Sequence, residues 1–220
     1  MQVRGKMPKT SPGYVGRHFT YPDMTGKRQA EGGRRLLGER RHSHAKAPLV
    51  SVITVCWNSA KTLEQAMLSV FEQTYKNIEY LIVDGLSTDG TVDLIRKYED
   101  RIEYFVSEPD QGLYFALNKG LELAQGEYIL ILNSDDWYAP DCVETLLAAK
   151  LETKADFVSA LADYVNDKGE LTHHQPSFPF DAGVYFRMPL RHETMFIPAD
   201  LYNRFGPYDT QYFINADRAL

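Results

Sequence analysis

The 220 residues contain only two cysteines, Cys56 and Cys142, each in a hydrophobic context. Such a pair is neither a disulfide framework nor a metal-ligand set, and it fits a reducing cytosol. The sequence also lacks a run of about eighteen or more apolar residues, and its N-terminus has no apolar signal-peptide core, so neither a membrane span nor export is expected. Positive charge becomes scarce once the start of the chain is set aside. Residues 1–47 hold eleven Lys or Arg against three Asp or Glu, which leaves thirteen against twenty-seven in the remainder. A body this acidic lacks the clustered cations that neutralise phosphate backbones, which argues against nucleic acid as its partner.

With 44% hydrophobic residues and a quarter charged, the chain can bury one sizeable core, and a single globular domain is expected. Residues 1–47 are rich in Gly, Arg, Lys, Pro and His and show no apolar period of 2 or 3.6. They read as a disordered basic arm, either a solvated extension or an anchor for anionic lipid headgroups. The domain proper is expected over 48–220. LVSVITVCW has the β-branched character of a strand buried on both faces. Leu63, Ala66, Met67, Val70 and Phe71 then fall at helical spacing, and IEYLIVD returns to a strand. Thr91 to Tyr98 reads as a helix, IEYFVS as a strand, Leu113 to Ala124 as a helix and EYILILN as a fourth strand. Four strands alternating with three helices predict an α/β fold with a mostly parallel central sheet and right-handed crossovers. Beyond Pro140 the pattern predicts a helix to about Leu151, a strand near Asp156 to Ala160, and irregular chain with antiparallel strands between Tyr164 and Leu190.

Ligands of such sheets bind outside the carboxyl ends of the strands, and here those ends are polar and acidic. They carry Trp57-Asn58, Asp84, Glu108-Pro109-Asp110 and Asn133-Ser134-Asp135-Asp136. A hard cation such as Mg²⁺ or Mn²⁺ takes oxygen ligands, often one or two carboxylates completed by diphosphate and water. Asp135 and Asp136 suit that role, and equally suit a cap on the following turn. Asp84 is placed to accept from a buried donor such as the imide N–H of uracil, whereas Asp89 reads as a turn and helix-cap residue. Lys119 is either a solvated helix lysine or a neighbour of a diphosphate. His192 is either a hydrogen-bonded structural residue or a ligand bridge. Asp217 has the chemistry of a general base, provided that it reaches an acceptor hydroxyl.

The segments VSVITVCWN, YLIVDGLSTDGT, SEPDQGLYFALNKGLELAQGEYILILNSDD and RHETMFIPADLYNRFGPYDTQYFINADRAL, in this order, resemble the family-2 inverting glycosyltransferases, which have the GT-A fold. The resemblance runs from about Val50 to the last residue. It implies that Thr54, Trp57 and Asn58 shape a nucleoside pocket, that Asp84 contacts the base, and that Asp135 and Asp136 form the DXD-like element. Asp136 would be the metal ligand, with Asp135 nearer the ribose or diphosphate. Lys119 falls in the family's NKG segment, His192 matches a family histidine on the acceptor side, and Asp217 matches the catalytic base. Leu86, Glu193 and Arg218-Ala219 depart from the family pattern. Relatives continue beyond the position matching Leu220, so a C-terminally truncated domain is expected.

The activity implied is metal-assisted single displacement from a nucleoside-diphosphate sugar, UDP-linked by preference, to a glycan or lipid-linked acceptor in polysaccharide biosynthesis. A cytoplasmic protein with peripheral membrane contact through its acceptor follows from that reading. Its alternative is an inactive nucleotide-binding domain. A nucleotidyltransferase would need a Gly-rich basic phosphate loop after the first strand, where Trp57-Asn58-Ser59-Ala60-Lys61 stands instead.

Overall fold

The computed structural model describes residues 13–23, 26–166, 168–174 and 192–211. Nine strands are defined among them: β1 (Ala30–Gly32), β2 (Val50–Cys56), β3 (Ile78–Asp84), β4 (Tyr104–Ser107), β5 (Tyr128–Ile131), β6 (Val158–Ser159), β7 (Asp163–Val165), β8 (Leu171–His174) and β9 (Met195–Pro198). The α-helices are α1 (Leu63–Phe71), α2 (Thr91–Lys97), α3 (Leu113–Leu123), α4 (Cys142–Thr153) and α5 (Ala199–Phe205). Seven strands form one sheet in the order β1-β4-β3-β2-β5-β9-β6, and β7 pairs with β8 in a separate hairpin. β4, β3, β2 and β5 run parallel, while β1, β9 and β6 join antiparallel at the flanks.

The predicted alternation of strands and helices from residue 48 onward is the one observed. Val50, Val52 and Cys56 of β2 pack with Leu63, Met67 and Val70 of α1, Ile95 of α2 and Leu146 of α4. Ile53 and Val55 face the opposite way, against Leu117 and Leu121 of α3 and Tyr202 of α5. The period of two along each strand thus feeds two separate apolar layers, because helices cover both faces of the sheet. Helix α3 lies unusually close to β2. A Cβ on Gly120 would come within 2.4 Å of the Ile53 Cγ2, so glycine permits the approach.

The expectation of a disordered arm over 1–47 does not hold for its described part. β1 pairs antiparallel along the outer edge of β4, with Ala30 opposite Ser107 and Gly32 opposite Phe105. A 3₁₀ turn follows at Arg34–Leu37. Its Arg35 is 3% exposed and donates to Glu79 Oε2 at 2.7 Å and to the carbonyls of Phe19 and Leu123 at 2.9 Å each. Glu79 Oε1 in turn accepts from the Ser51 hydroxyl and from the backbone N–H groups of Gln125 (2.5 Å) and Gly126 (3.1 Å). Apolar periodicity missed this segment because buried ion pairs and an edge-strand ladder order it, and its apolar contacts, from Tyr14, Val15, Tyr21 and Ala30, are scattered without a period.

Removing one partner of a buried ion pair strands the other charge in a low dielectric, at a cost of about 3–5 kcal/mol. Arg35→Ala is therefore expected to lower the unfolding free energy by about that amount in urea titration. A loss under ~1 kcal/mol would show that the arm does not bear on the core.

Candidate functional site

From β2 the chain steps outward to β3 and β4, then returns to place β5 on the other side of β2. Strand order therefore reverses between β2 and β5, and an open α/β sheet has its ligand crevice outside the carboxyl ends at such a point. The loop after β2 carries Trp57, Asn58 and Ser59, and the loop after β5 carries Asn133 to Asp136. The Ser59 and Ser134 hydroxyls lie 2.9 Å apart and tie the two loops together.

The loop after β3 is zipped to the loop after β2. Asn58 N–H donates to Ser87 Oγ at 2.7 Å, and Asn58 Oδ1 accepts from Thr88 N–H at 2.9 Å. Asp89 accepts from Ala60 N–H at 3.1 Å and from both the N–H and the hydroxyl of Thr91, a structural role in agreement with its expected place at the start of α2. The Thr91 hydroxyl, with these backbone donors, holds the Asp89 carboxyl below its ordinary range. Asn58 (φ 51°) and Leu86 (φ 65°) both adopt left-handed backbone. Asn tolerates that conformation. Leu86 is strained there, and such strain collects at functional loops.

Asp84 is fully enclosed. It accepts from Ser87 N–H (2.9 Å), the Ser87 hydroxyl, the Ser107 hydroxyl (2.6 Å) and the Cys56 thiol (3.5 Å). Four donors fill the acceptor sites of a carboxylate, so the base contact expected of Asp84 is not open in this conformation. Its structural work is to organise the loop beneath the crevice. Trp57, by contrast, is 70% exposed at the mouth. A Cβ added at Gly85 would make ordinary contact with the Trp57 Cβ, at 3.6 Å, but would crowd Asp110 Oδ2, at 2.8 Å. Asp110 accepts from Gly112 N–H at 2.9 Å. Burial pushes its carboxyl up, with Asp84 and Glu108 adding to the rise and Lys119 opposing it. The close approach of Asp110 to Gly85 left no signal in the sequence apart from the glycine itself.

Asp135 is exposed and Asp136 half-buried. Asp136 N–H bonds the Asn133 carbonyl at 3.3 Å, and Asn133 Nδ2 donates to Asp136 Oδ2 at 3.0 Å. His192 opens a 3₁₀ turn beside β5 and brings its Nε2 to 3.5 Å from Asn133 Oδ1. The structure therefore gathers Trp57, Asn58, Asp135, Asp136 and His192 at one edge. No group of three or more His, Cys, Asp or Glu among the described residues forms a metal cage by itself. Two adjacent carboxylates at an open strand end nevertheless fit Mg²⁺ or Mn²⁺, which commonly complete their shells with phosphate oxygens and water.

Two predicted site residues lie elsewhere. The Thr54 hydroxyl is buried mid-strand, accepting from the Tyr80 hydroxyl at 3.0 Å. It shapes the core below the crevice. Lys119 is neither solvated nor at the crevice mouth, because its Nζ is buried 2.6 Å from Glu108 Oε1. The neighbouring Asn118 pins Tyr208 through bonds of 2.8 and 2.9 Å. Asn118, Lys119 and Gly120 thus each have a packing role. Asp217 lies outside the described residues. A groove of about 570 Å³ is lined by Lys61, Glu64, Trp137 and Tyr138 among others. A second hollow of about 520 Å³, lined by Lys150, Lys154, Asp200 and Arg204 among others, sits at the amino end of β5, away from the crevice.

Residues 51–213 match the family described as glycosyl transferase family 2. TuaG of Bacillus subtilis, named a putative teichuronic acid biosynthesis glycosyltransferase, is 41% identical over 113 residues, covering 50% of this chain and 45% of its own length. The uncharacterized glycosyltransferase Rv1514c of Mycobacterium tuberculosis is 33% identical over 177 residues, covering 78% of this chain and 67% of its own length. The chain thus spans less than half of the Bacillus protein and two thirds of the mycobacterial one. Among solved structures, S. aureus TarS 1-349 in complex with UDP superposes with a TM-score of 0.64 at 21% identity, over 77% of this chain and 53% of that one. The mannosyltransferase PcManGT from Pyrobaculum calidifontis, in complex with GDP-Man and Mn²⁺, gives 0.61 at 23% identity, over 84% and 56%. The GT-A-like architecture expected from the sequence is the one found, and the chain belongs to glycosyl transferase family 2.

Proposed function

We propose that the crevice between the carboxyl ends of β2 and β5 takes a nucleoside-diphosphate sugar, with a UDP-sugar the preferred donor, and that the protein transfers the sugar with inversion to a glycan or lipid-linked acceptor. The observation that carries this reading is the placement of Trp57 and the Asp135-Asp136 pair on opposite sides of the strand-order switch in a family-2 chain. The structural neighbours support the donor class, since TarS 1-349 forms complexes with UDP and UDP-GlcNAc and PcManGT one with GDP-Man. The name of the Bacillus relative supports a place in polysaccharide biosynthesis.

In this reading the Trp57 ring offers a stacking face to the base, and Asn58 with the Ser87 loop borders the nucleoside. Asp84 acts from below by ordering that loop. Asp136, with Asp135 beside it, would hold Mg²⁺ or Mn²⁺, whose chemistry is Lewis-acid stabilisation of charge on a departing diphosphate. His192, through Asn133, sets the outer wall next to the Asp pair. Asp217 serves as general base and takes the acceptor hydroxyl's proton as that oxygen attacks the anomeric carbon. The bond to the diphosphate oxygen breaks in the same displacement, the nucleoside diphosphate leaves, and the anomeric configuration inverts. Among the described residues no helix is long and apolar enough to cross a membrane. We place the reaction in the cytoplasm, with peripheral membrane contact made through a lipid-linked acceptor.

Calorimetric titration with UDP is expected to give binding that strengthens with Mn²⁺, and Asp136→Ala should remove most of the metal-dependent part. Equal UDP binding with and without Mn²⁺, unchanged in the variant, would refute the role of the Asp pair. A base stacked on an aromatic side chain loses about 1–3 kcal/mol when that side chain is cut back to alanine. Trp57→Ala is accordingly expected to weaken UDP by about that amount whether or not Mn²⁺ is present, and unaltered affinity would remove Trp57 from the site.

A further inference from the structure

We propose that Arg28, upstream of the family-matched residues, is a positioning residue for the nucleotide crevice, acting through Glu108 on the turn that carries Asp110. This inference rests on the nucleotide-binding reading of the strand edge. Glu108 directly follows β4 and is 1% exposed. Its Oε2 accepts from Arg28 Nε at 3.0 Å and Nη2 at 2.8 Å, and its Oε1 from Lys119 Nζ at 2.6 Å. Arg28 is fixed in turn by Glu31, whose Oε2 lies 2.7 Å from Arg28 Nη1 and 2.7 Å from the Tyr104 hydroxyl. One residue further along, Gln29 N–H donates to the Ser107 carbonyl at 2.8 Å. The arm therefore grips the end of β4 immediately before the crevice loop.

The chemistry of burial makes this grip consequential. A carboxylate withdrawn from water needs a partner at each oxygen, and Lys119 serves only Oε1. Without Arg28, Oε2 is a buried carboxylate oxygen that has lost both of its donors, Glu108 keeps only the Lys119 counter-charge, and the cheapest relief is for the Glu108-Pro109-Asp110 turn to shift toward solvent. That turn has little room. Asp110 Oδ2 lies where it does only because Gly85 has no side chain, and Trp57 borders the same glycine. A displacement at Glu108 is passed two residues along to the wall of the crevice. Arg35 fastens the same arm at the amino ends of the strands, so Arg28 is not needed to keep the arm attached.

The test compares Arg28→Ala, Arg28→Gln and Arg28→Lys with Arg34→Ala. Arg34 pairs with Glu39 at 2.6 Å within the arm and with Glu103 of the body at 3.9 Å, at the amino side of β4 and remote from the crevice, so its loss controls for loosening of the arm. Amide exchange is followed at Glu108, whose N–H bonds the Asp84 carbonyl, and at Gly112, whose N–H bonds Asp110. UDP affinity is measured with Mn²⁺ in the same samples. Arg28→Ala is expected to speed exchange at both amides and to weaken UDP roughly tenfold, about the effect of losing a supporting residue behind a ligand site. Arg28→Gln should behave similarly and stands in if the alanine variant does not fold. Arg28→Lys should recover most of the affinity, and Arg34→Ala should change neither readout. Protected amides and unchanged UDP affinity in Arg28→Ala, or an equal loss in Arg34→Ala, would overturn the role of Arg28. Absence of UDP binding by the unaltered protein would instead overturn the nucleotide reading and any role for Arg28 in it.

Discussion

The position of β2 in the middle of the sheet is the constraint from which the site follows. Its backbone pairs with β3 on one side and β5 on the other, both in parallel, and its side chains are buried on both faces. Each buried Val or Ile contributes about 1.5–3 kcal/mol relative to exposure. A slip of one residue would exchange the two apolar layers and leave each facing the wrong helices. The register is therefore fixed. With it come the opposition of Cys56 to Asp84 and of Asp84 to Ser107 across the sheet. Three polar side chains meet at the carboxyl end of the core because strand pairing brings them there.

That alignment explains why so much of the architecture was legible in the residues. β2, β3 and β5 announce themselves as β-branched runs, and α1 does so through Leu63, Ala66, Met67 and Val70. These signals are apolar, periodic and local. The edge strand β1 carries none of them, since Ala30-Glu31-Gly32 has no strand propensity and is held by its ladder to β4 and by the ion pairs of Arg28 and Arg35. Interactions that join residues far apart in sequence, such as Arg35 with Glu79, cannot be seen in any window of the chain.

The candidate site was legible in its outline and less so in its assignments. Polar strand ends pointed to one edge of the sheet, and Trp57, Asn58, Asp135, Asp136 and His192 gather there. Thr54 and Lys119 were assigned by sequence pattern, which does not distinguish a residue facing the crevice from one buried just beneath it. Thr54 belongs to the Tyr80 layer, and Lys119 balances Glu108. Asp84 is a subtler instance. Its position is the expected one, but its acceptor capacity is spent on Ser87, Ser107 and Cys56. The crevice is accordingly a thin exposed rim, Trp57 and the Asp pair, over a floor of buried polar groups that are satisfied by one another. Among the described residues no buried side-chain polar atom lacks a hydrogen-bond partner, and such a floor resists rearrangement when charge arrives above it.

The central claim is that this rim, and no other part of the surface, receives the nucleotide. A crystal structure of the protein with UDP and Mn²⁺ tests it most directly. The account predicts density for the base against Trp57 and for the diphosphate and metal at Asp135-Asp136. Density for the nucleotide in the hollow lined by Lys150, Lys154 and Arg204, with the strand-end rim vacant, would contradict it.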